Sequence, residues 1–158
     1  FNNQIFPLLT PLDMDAPEAP ALPSLKLLMG VELRDNETGD VRVSVVALPD
    51  GLPRRVPVPS AETERYVMLE DLVRECIGSV FPGETVLSAA VFRVTRNGDI
   101  AVQEEDALDL ADEMEEVLVA RKFSECVRLE IESSAPVPLH DRIMSAQARR
   151  RPTISRGL

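Results

Sequence analysis

Two arginines, Arg93 and Arg96, are the first candidates for binding chemistry, and they lie in the sequence FRVTRNGD at residues 92–99. A guanidinium group forms paired hydrogen bonds with phosphate as well as with carboxylate, so these arginines could bind a phosphate or form ion pairs. Residues three apart on a regular strand point to opposite faces, which separates the two side chains. Arg93 must then pair with an acid, extend its apolar stem along the surface, or lie on an exposed side. The pattern favours structural pairing over phosphate binding.

The sequence offers few residues for catalysis. Its only histidine, His140, lies in an irregular C-terminal segment, where a surface position is more common than a catalytic one. No serine nucleophile elbow, phosphate-binding Walker loop, glycine-rich dinucleotide loop or HExxH zinc motif occurs. We therefore predict no catalytic residue and no metal ligands in this chain.

A run of acids forms the one candidate for metal binding. It comprises Glu104, Glu105, Asp106, Asp109, Asp112, Glu113, Glu115 and Glu116. Carboxylates could bind Mg²⁺ if they converged, but the helical spacing of this segment spreads them outward. We interpret the run as a solvated helix face whose acidic first turn suits the helix dipole. A small enzyme that uses this helix to hold a metal is the third alternative for the function.

The charge is strongly acidic and unevenly distributed. The formal net charge is −10, and residues 61–120 alone carry 15 acids against 4 bases. Such a field repels nucleic acid, so nucleic-acid binding is not expected. Cys76 and Cys126 stand apart from any metal-binding motif and are predicted to be buried free thiols in a reducing compartment. No apolar run approaches the ~20 residues of a membrane span. With no signal-peptide pattern either, we expect a cytoplasmic protein without a membrane partner.

Hydrophobic periodicity predicts an α+β fold in a single domain. Strands are predicted over residues 25–34, 40–48, 84–96, 99–102 and 126–133, where apolar residues alternate or β-branched residues dominate. Helices are predicted over residues 66–83 and 104–123, where apolar residues recur every three or four positions. The order strand-strand-helix-strand-strand-helix-strand indicates a mainly antiparallel sheet with two principal helices packed on it.

The chain is predicted to have three parts. Residues 1–23 hold five prolines and are expected to form an extended N-terminal arm. Residues 24–134 form the α+β domain, and residues 135–158 hold a short helix and a basic tail. We expect truncation at Ala135 to leave the melting temperature nearly unchanged. Because the first residue is Phe1 and not Met, we also expect the chain to be part of a longer protein.

Five blocks of the sequence resemble one protein family, in the family's order. They read FNNQIFPLLTPLDMD, LPRRVPV, YVMLEDLVRECIGSVFPGETV, FRVTRNGDIAVQEEDALDL and RKFSECVRLEIES. They are similar to the middle, or head, domain of the bacterial polyphosphate kinases of the ATP-using, phosphohistidine type. The resemblance covers about residues 1–134, and the block that begins FRVTR is its most specific part.

The resemblance implies a role within a larger enzyme. In that family the C-terminal phospholipase-D-like domains carry the phosphorylated histidine, the metal ligands and most ATP contacts. ATP and Mg²⁺ are thus implied for a full-length parent that transfers the terminal phosphate of ATP to polyphosphate, and no cofactor for this fragment. The isolated fragment is expected to be inactive. Its implied partners are the N-terminal and C-terminal domains of the same enzyme and a second copy in a homo-oligomer.

Four arginines remain candidates for a contact with phosphate or with another domain: Arg54, Arg55, Arg93 and Arg96. A polyphosphate contact stays an open alternative for Arg93 and Arg96, because arginine suits phosphate. The alternative function, from a different class, is a stand-alone acidic protein-interaction module that kept the fold without the kinase. The full reading frame would distinguish the two.

Overall fold

A computed structural model of the chain describes residues 5–16, 21–59, 64–97 and 126–148. The strands in these ranges are β1 (Pro11–Asp13), β2 (Leu27–Asp35), β3 (Val41–Ala47), β4 (Arg55–Val58), β5 (Arg65–Met68), β6 (Glu84–Arg96) and β7 (Cys126–Ile131). The α-helices are α1 (Leu69–Cys76) and α2 (Val137–Ala148), and short 3-10 helices cover Phe6–Leu8 and Ile77–Val80.

The main sheet has five strands in the order β1-β3-β2-β6-β7, and every neighbouring pair is antiparallel. A tight turn joins β2 to β3. In it, the Asp35 carboxylate accepts hydrogen bonds from the backbone N–H groups of Glu37 at 2.7 Å and Thr38 at 2.8 Å, and Gly39 has a φ of +78°. The Thr38 and Glu37 amides lower the pKa of Asp35. This turn chemistry therefore sets the register of the central hairpin.

Helix α1 and the 3-10 helix that follows it, Ile77–Val80, pack on one face of the sheet. Leu69, Val73 and Ile77 recur every four residues, so they form one apolar stripe. All three are buried against sheet residues such as Met29 and Val31 in one core cluster. Glu70 and Asp71 lie in the first turn of α1, where they suit the helix dipole. The second sheet, the antiparallel ribbon of β4 and β5, contributes Val56 to the same side.

Helix α2 packs on the opposite face of the sheet. Its Leu139 and Ile143 are buried together with Leu28 and Phe92 in a second core cluster. The contact is close, because a Cβ added to Gly30 would lie 2.7 Å from Cδ1 of Ile143. A glycine at this point of β2 therefore lets the helix approach the sheet.

The predicted α+β fold is confirmed, with a mainly antiparallel sheet and two helices in a single domain. Strand β6 covers the same residues, 84–96, as the predicted strand. The first helix begins only at Leu69, because residues 65–68 pair with β4 as a strand. The predicted strand over 99–102 and helix over 104–123 lie outside the described residues. Within the described ranges, the helix that follows α1 is α2.

The packing of α2 argues against the expected dispensability of the segment after Ala135. A helix was predicted there, but α2 also places Leu139, Ile143 and Ala146 in the core. Their spacing of four and three residues already formed an apolar stripe in the sequence. The burial of this stripe was not predicted, because polar residues and arginines surround it in the sequence. The predicted domain boundary at residue 134 stays a prediction, although the second core cluster extends beyond it.

Two smaller expectations concern thiols and membranes. Cys76 and Cys126 are both free thiols, and both are half-buried, whereas burial was predicted. Across the parts of the chain that the structure describes, no helix is long and apolar enough to cross a membrane.

Candidate functional site

An open groove of about 400 Å³ lies between α1 and the β6–β7 end of the sheet. Leu27, Val91 and Ile131 contribute apolar side chains to it. Its charged lining comprises Arg54, Glu70, Asp71, Arg74, Arg93, Glu130 and Glu132. We call this feature the arginine groove, because three of the arginines described in the structure meet there.

Arg54 forms the first ion pair of the arginine groove. Its Nε and Nη2 donate hydrogen bonds to Oε1 of Glu70, at 3.0 and 2.6 Å. Its carbonyl oxygen also accepts a hydrogen bond from the backbone N–H of Leu69, at 2.8 Å, and so joins the loop before β4 to the start of α1. The hydrogen bonds with Glu70 raise the pKa of Arg54, and the same bonds lower the pKa of Glu70. Both groups are therefore charged at neutral pH.

Arg74 connects α1 to the chain that follows β7. Its Nη2 lies 2.5 Å from Oε2 of Glu132, and its Nη1 lies 3.3 Å from Oδ1 of Asp71, three residues earlier on the helix. The Nε of Arg74 is buried and has no hydrogen-bond partner within the described ranges. Sequence reasoning missed Arg74. Its spacing from Asp71 was a usable signal for a helical ion pair.

Arg93 forms a cross-strand ion pair. It lies directly opposite Glu130 in the β6–β7 register, and its Nε and Nη2 lie 2.8 and 2.7 Å from Oε2 of that glutamate. Arg128, two residues from Glu130 on β7, reaches the other carboxylate oxygen at 2.9 Å. Glu130 is therefore shared by two arginines. Such pairs on one face of antiparallel strands contribute to sheet stability.

Arg96 lies on the other face of β6, as the three-residue spacing requires. Its Nε donates to the carbonyl oxygen of Leu22 and its Nη2 to Oε1 of Gln147, each at 3.3 Å. Burial lowers the pKa of Arg96. Arg55 is also outside the groove, where its guanidinium lies 4.8 Å from the ring centroid of Tyr66. The structure thus brings together Arg54 and Arg93 of the four sequence candidates, and separates Arg55 and Arg96 from them.

The described residues do not form a catalytic constellation. His140 is partly exposed, and its Nδ1 lies 3.2 Å from Oδ1 of its neighbour Asp141. No three His, Cys, Asp or Glu side chains converge as metal ligands within the described ranges. The acidic run over 104–116 lies outside them. The arginine groove therefore offers binding chemistry, namely guanidinium and carboxylate groups around an apolar surface, and no nucleophile paired with a base.

Comparison with known proteins places the chain in one family. The family model of the polyphosphate kinase middle domain matches residues 1–151. A polyphosphate kinase from Synechocystis is 37% identical over 156 residues, which cover 92% of this chain and 21% of that protein. A polyphosphate kinase from Streptomyces coelicolor is 38% identical over 135 residues, which cover 85% of this chain and 18% of that protein.

Comparison with solved structures also matches the chain to a polyphosphate kinase. The crystal structure of polyphosphate kinase from Porphyromonas gingivalis superposes with a TM-score of 0.68 at 25% sequence identity. The match covers 96% of this chain and 21% of that one. The chain therefore spans about a fifth of the length of the relatives that it matches.

Proposed function

Because this chain belongs to the polyphosphate kinase family, as its middle domain, we propose that it is the non-catalytic head domain of such an enzyme. Its role is to pack against the other domains of the same polypeptide and to contribute to a dimer. The parent transfers the terminal phosphate of ATP to polyphosphate through a phosphohistidine on another domain. The free thiols Cys76 and Cys126 suit a reducing compartment, which favours a cytoplasmic parent.

The observation that carries this proposal is the pairing of the groove arginines with acids of the same domain. Arg54, Arg74 and Arg93 each contact a carboxylate from another element of the fold. The groove carboxylates are engaged by these arginines, which supports a role in holding surfaces together rather than in group transfer. The four candidates Arg54, Arg55, Arg93 and Arg96 are accordingly assigned to structural or interdomain contacts.

The lining of the arginine groove does not favour ATP or Mg²⁺ as its ligand. The groove carboxylates already hold arginines, and hard cations need several free oxygen ligands. Phe92 is buried and offers no ring face on which an adenine could stack. We therefore assign both ligands to the rest of the parent, where the family resemblance also places them.

A polymerisation assay tests the proposal. The 158-residue chain and the full-length parent are incubated separately with labelled ATP and Mg²⁺, and labelled polymer and ADP are measured. We expect the parent to form polyphosphate, and the chain alone to form neither product. Polymer formed by the chain alone, and lost in the variant His140→Ala, would contradict a non-catalytic role.

A deletion tests the packing role. Removing this domain from the parent should abolish dimer formation in sedimentation and reduce polyphosphate synthesis, because the remaining domains lose a shared surface. A deleted parent that remains dimeric and fully active would refute the role. A reading frame that ends with this domain would favour the stand-alone interaction module.

A further inference from the structure

We propose that the arginine groove is the docking site for a segment of another domain of the same polypeptide. The segment carries an apolar side chain flanked by aspartate or glutamate. This inference rests on the proposed function, which it deepens by naming one surface and the chemistry of its partner.

The first observation is an asymmetry of exposure within the ion pairs. The Arg54 side chain is 59% exposed and that of Glu70 is 12% exposed. Arg93 and Arg128 are 44% and 68% exposed, against 32% for the Glu130 that they share. In these pairs the carboxylate lies deeper than the guanidinium group, whereas Asp71, on the α1 side of the groove, is 54% exposed. Arg54 and Arg93, which line the groove, therefore present positive groups at its rim to an incoming partner.

The second observation concerns donors that the internal pairs leave over. Arg54 and Arg93 each use Nε and Nη2 for their glutamates. A guanidinium has five N–H donors, so the Nη1 groups can bind a second carboxylate without breaking the first pair. In the described part of the chain, neither Nη1 group has a partner of its own. The rim can therefore recognise an anion at little cost to the domain.

The third observation is the apolar surface beneath the rim. Leu27, Val91 and Ile131 line the groove and are only half-buried. A partner that covers them gains from removing apolar area from water. A phosphate chain has no apolar group to place there, so it would leave this surface exposed to water. A peptide segment with an apolar residue between acids can cover this apolar surface and also pair with the arginines of the rim.

The other four fifths of the polypeptide are the source of that segment. The match to relatives about five times as long implies further domains in the same molecule. A segment tethered to this domain has a high effective concentration at the groove, so a modest contact is enough to dock it. Protein interfaces typically combine an apolar centre with a polar rim, and arginine is enriched in them.

Carbodiimide cross-linking of the full-length protein tests the docking. This reagent joins a lysine to a carboxylate in direct contact, and the chain has only two lysines, Lys26 and Lys122. The variants Arg54→Lys and Arg93→Lys each place a new amine at the rim. The control is Arg65→Lys, at an exposed position of β5 that does not line the groove. The products are identified by peptide mass spectrometry.

We expect both rim variants to couple to an Asp or Glu in the rest of the polypeptide, next to an apolar residue, and the control not to. Coupling confined to Glu70 and Glu130 would overturn the proposal. The proposal would also be overturned if added polyphosphate abolished the coupling to the rest of the polypeptide and bound the folded chain less tightly after Arg93→Gln. The occupant of the groove would then be polyphosphate. Hydroxyl-radical labelling without any substitution is the second measurement. Leu27 and Val91 should be labelled in the 158-residue chain and protected in the full-length protein, and equal labelling in both would also overturn the proposal.

The two proposals fail in different ways. If the cross-links to the rest of the polypeptide form at another surface of this domain, the groove is excluded as the docking site and the proposed packing role is unaffected. If no surface of this domain couples to the rest of the polypeptide, both proposals are wrong. Catalysis by the isolated chain would contradict the proposed function without affecting the cross-links.

Discussion

The two faces of the main sheet are each covered by a helix, but to different extents. On one face, α2 lies so close that Gly30 leaves no room for a methyl group under Ile143. On the other face, α1 leaves an open groove of about 400 Å³ toward β7. The closed face contributes stability through buried apolar area, whereas the open face keeps charged groups available at the surface. The domain thus has a core cluster on each face of the sheet, and only the α1 face also carries the candidate contact surface.

Arg93 and Arg96 show the same difference at the level of single residues. They lie three positions apart on β6, one on each face. Arg93 is held by a carboxylate in the open groove, and Arg96 donates to a carbonyl and an amide on the closed side. The same type of side chain therefore contacts different elements of the fold on the two faces of one strand. The identity of the residue does not decide its role.

Breaking the closed face should have the largest effect. Replacing Ile143, which is 2% exposed, with alanine leaves a cavity beneath α2, so we expect Ile143→Ala to lower the free energy of unfolding by about 2–5 kcal/mol. The neighbouring Met144 is half exposed, so Met144→Ala should change stability by less than about 1 kcal/mol. Denaturant melts of both variants measure the difference. Equal, small effects would mean that α2 contributes little to the core.

The two arginines of β6 should differ in the next measurement. Arg96→Ala removes hydrogen bonds from the partly buried acceptors Leu22 O and Gln147 Oε1, which should cost about 1–3 kcal/mol. Arg93→Ala should cost at most about 1 kcal/mol, because Glu130 keeps Arg128.

A double variant sharpens this contrast. Arg93→Ala with Arg128→Ala leaves Glu130 without either arginine, so its cost should exceed the sum of the two single costs. Chemical melts at neutral pH give all four values. A larger loss for Arg93→Ala than for Arg96→Ala would reverse the proposed difference between the faces.

The smallest expected effect is a pH dependence of the open face. Hydrogen bonds from Arg54 lower the pKa of Glu70 below its ordinary value of 4.5. The contribution of this pair is therefore complete above pH 4.5, and it is lost as the pH falls through the lowered value in the folded state. Glu70→Gln should thus lose less stability than the unsubstituted chain between neutral pH and about pH 3. Thermal melts at both pH values compare them. Parallel losses would show that the pair does not contribute.

The sequence predicted local features well and distant pairings poorly. Strand β6 and the apolar stripe of α1 follow from the periodicity of residues that lie close together in the chain. Arg54 and Arg93 were named as contact candidates from their residue type and position. Their partners were not named, because Glu70 and Glu130 lie 16 and 37 residues away, and Glu132 lies 58 residues from Arg74.

The amino-acid sequence by itself determined the α+β class, the acidic charge, the family resemblance and the opposite directions of Arg93 and Arg96. Each of these depends on composition, on short blocks of sequence that occur in a fixed order, or on a period of two or 3.6 residues. Only the tertiary structure decided that β6 lies between β2 and β7, that residues 65–68 form a strand, and that α2 closes one face while the arginine groove stays open on the other. Those outcomes depend on which distant segments bury their apolar faces together, and that choice is made by packing across the whole domain.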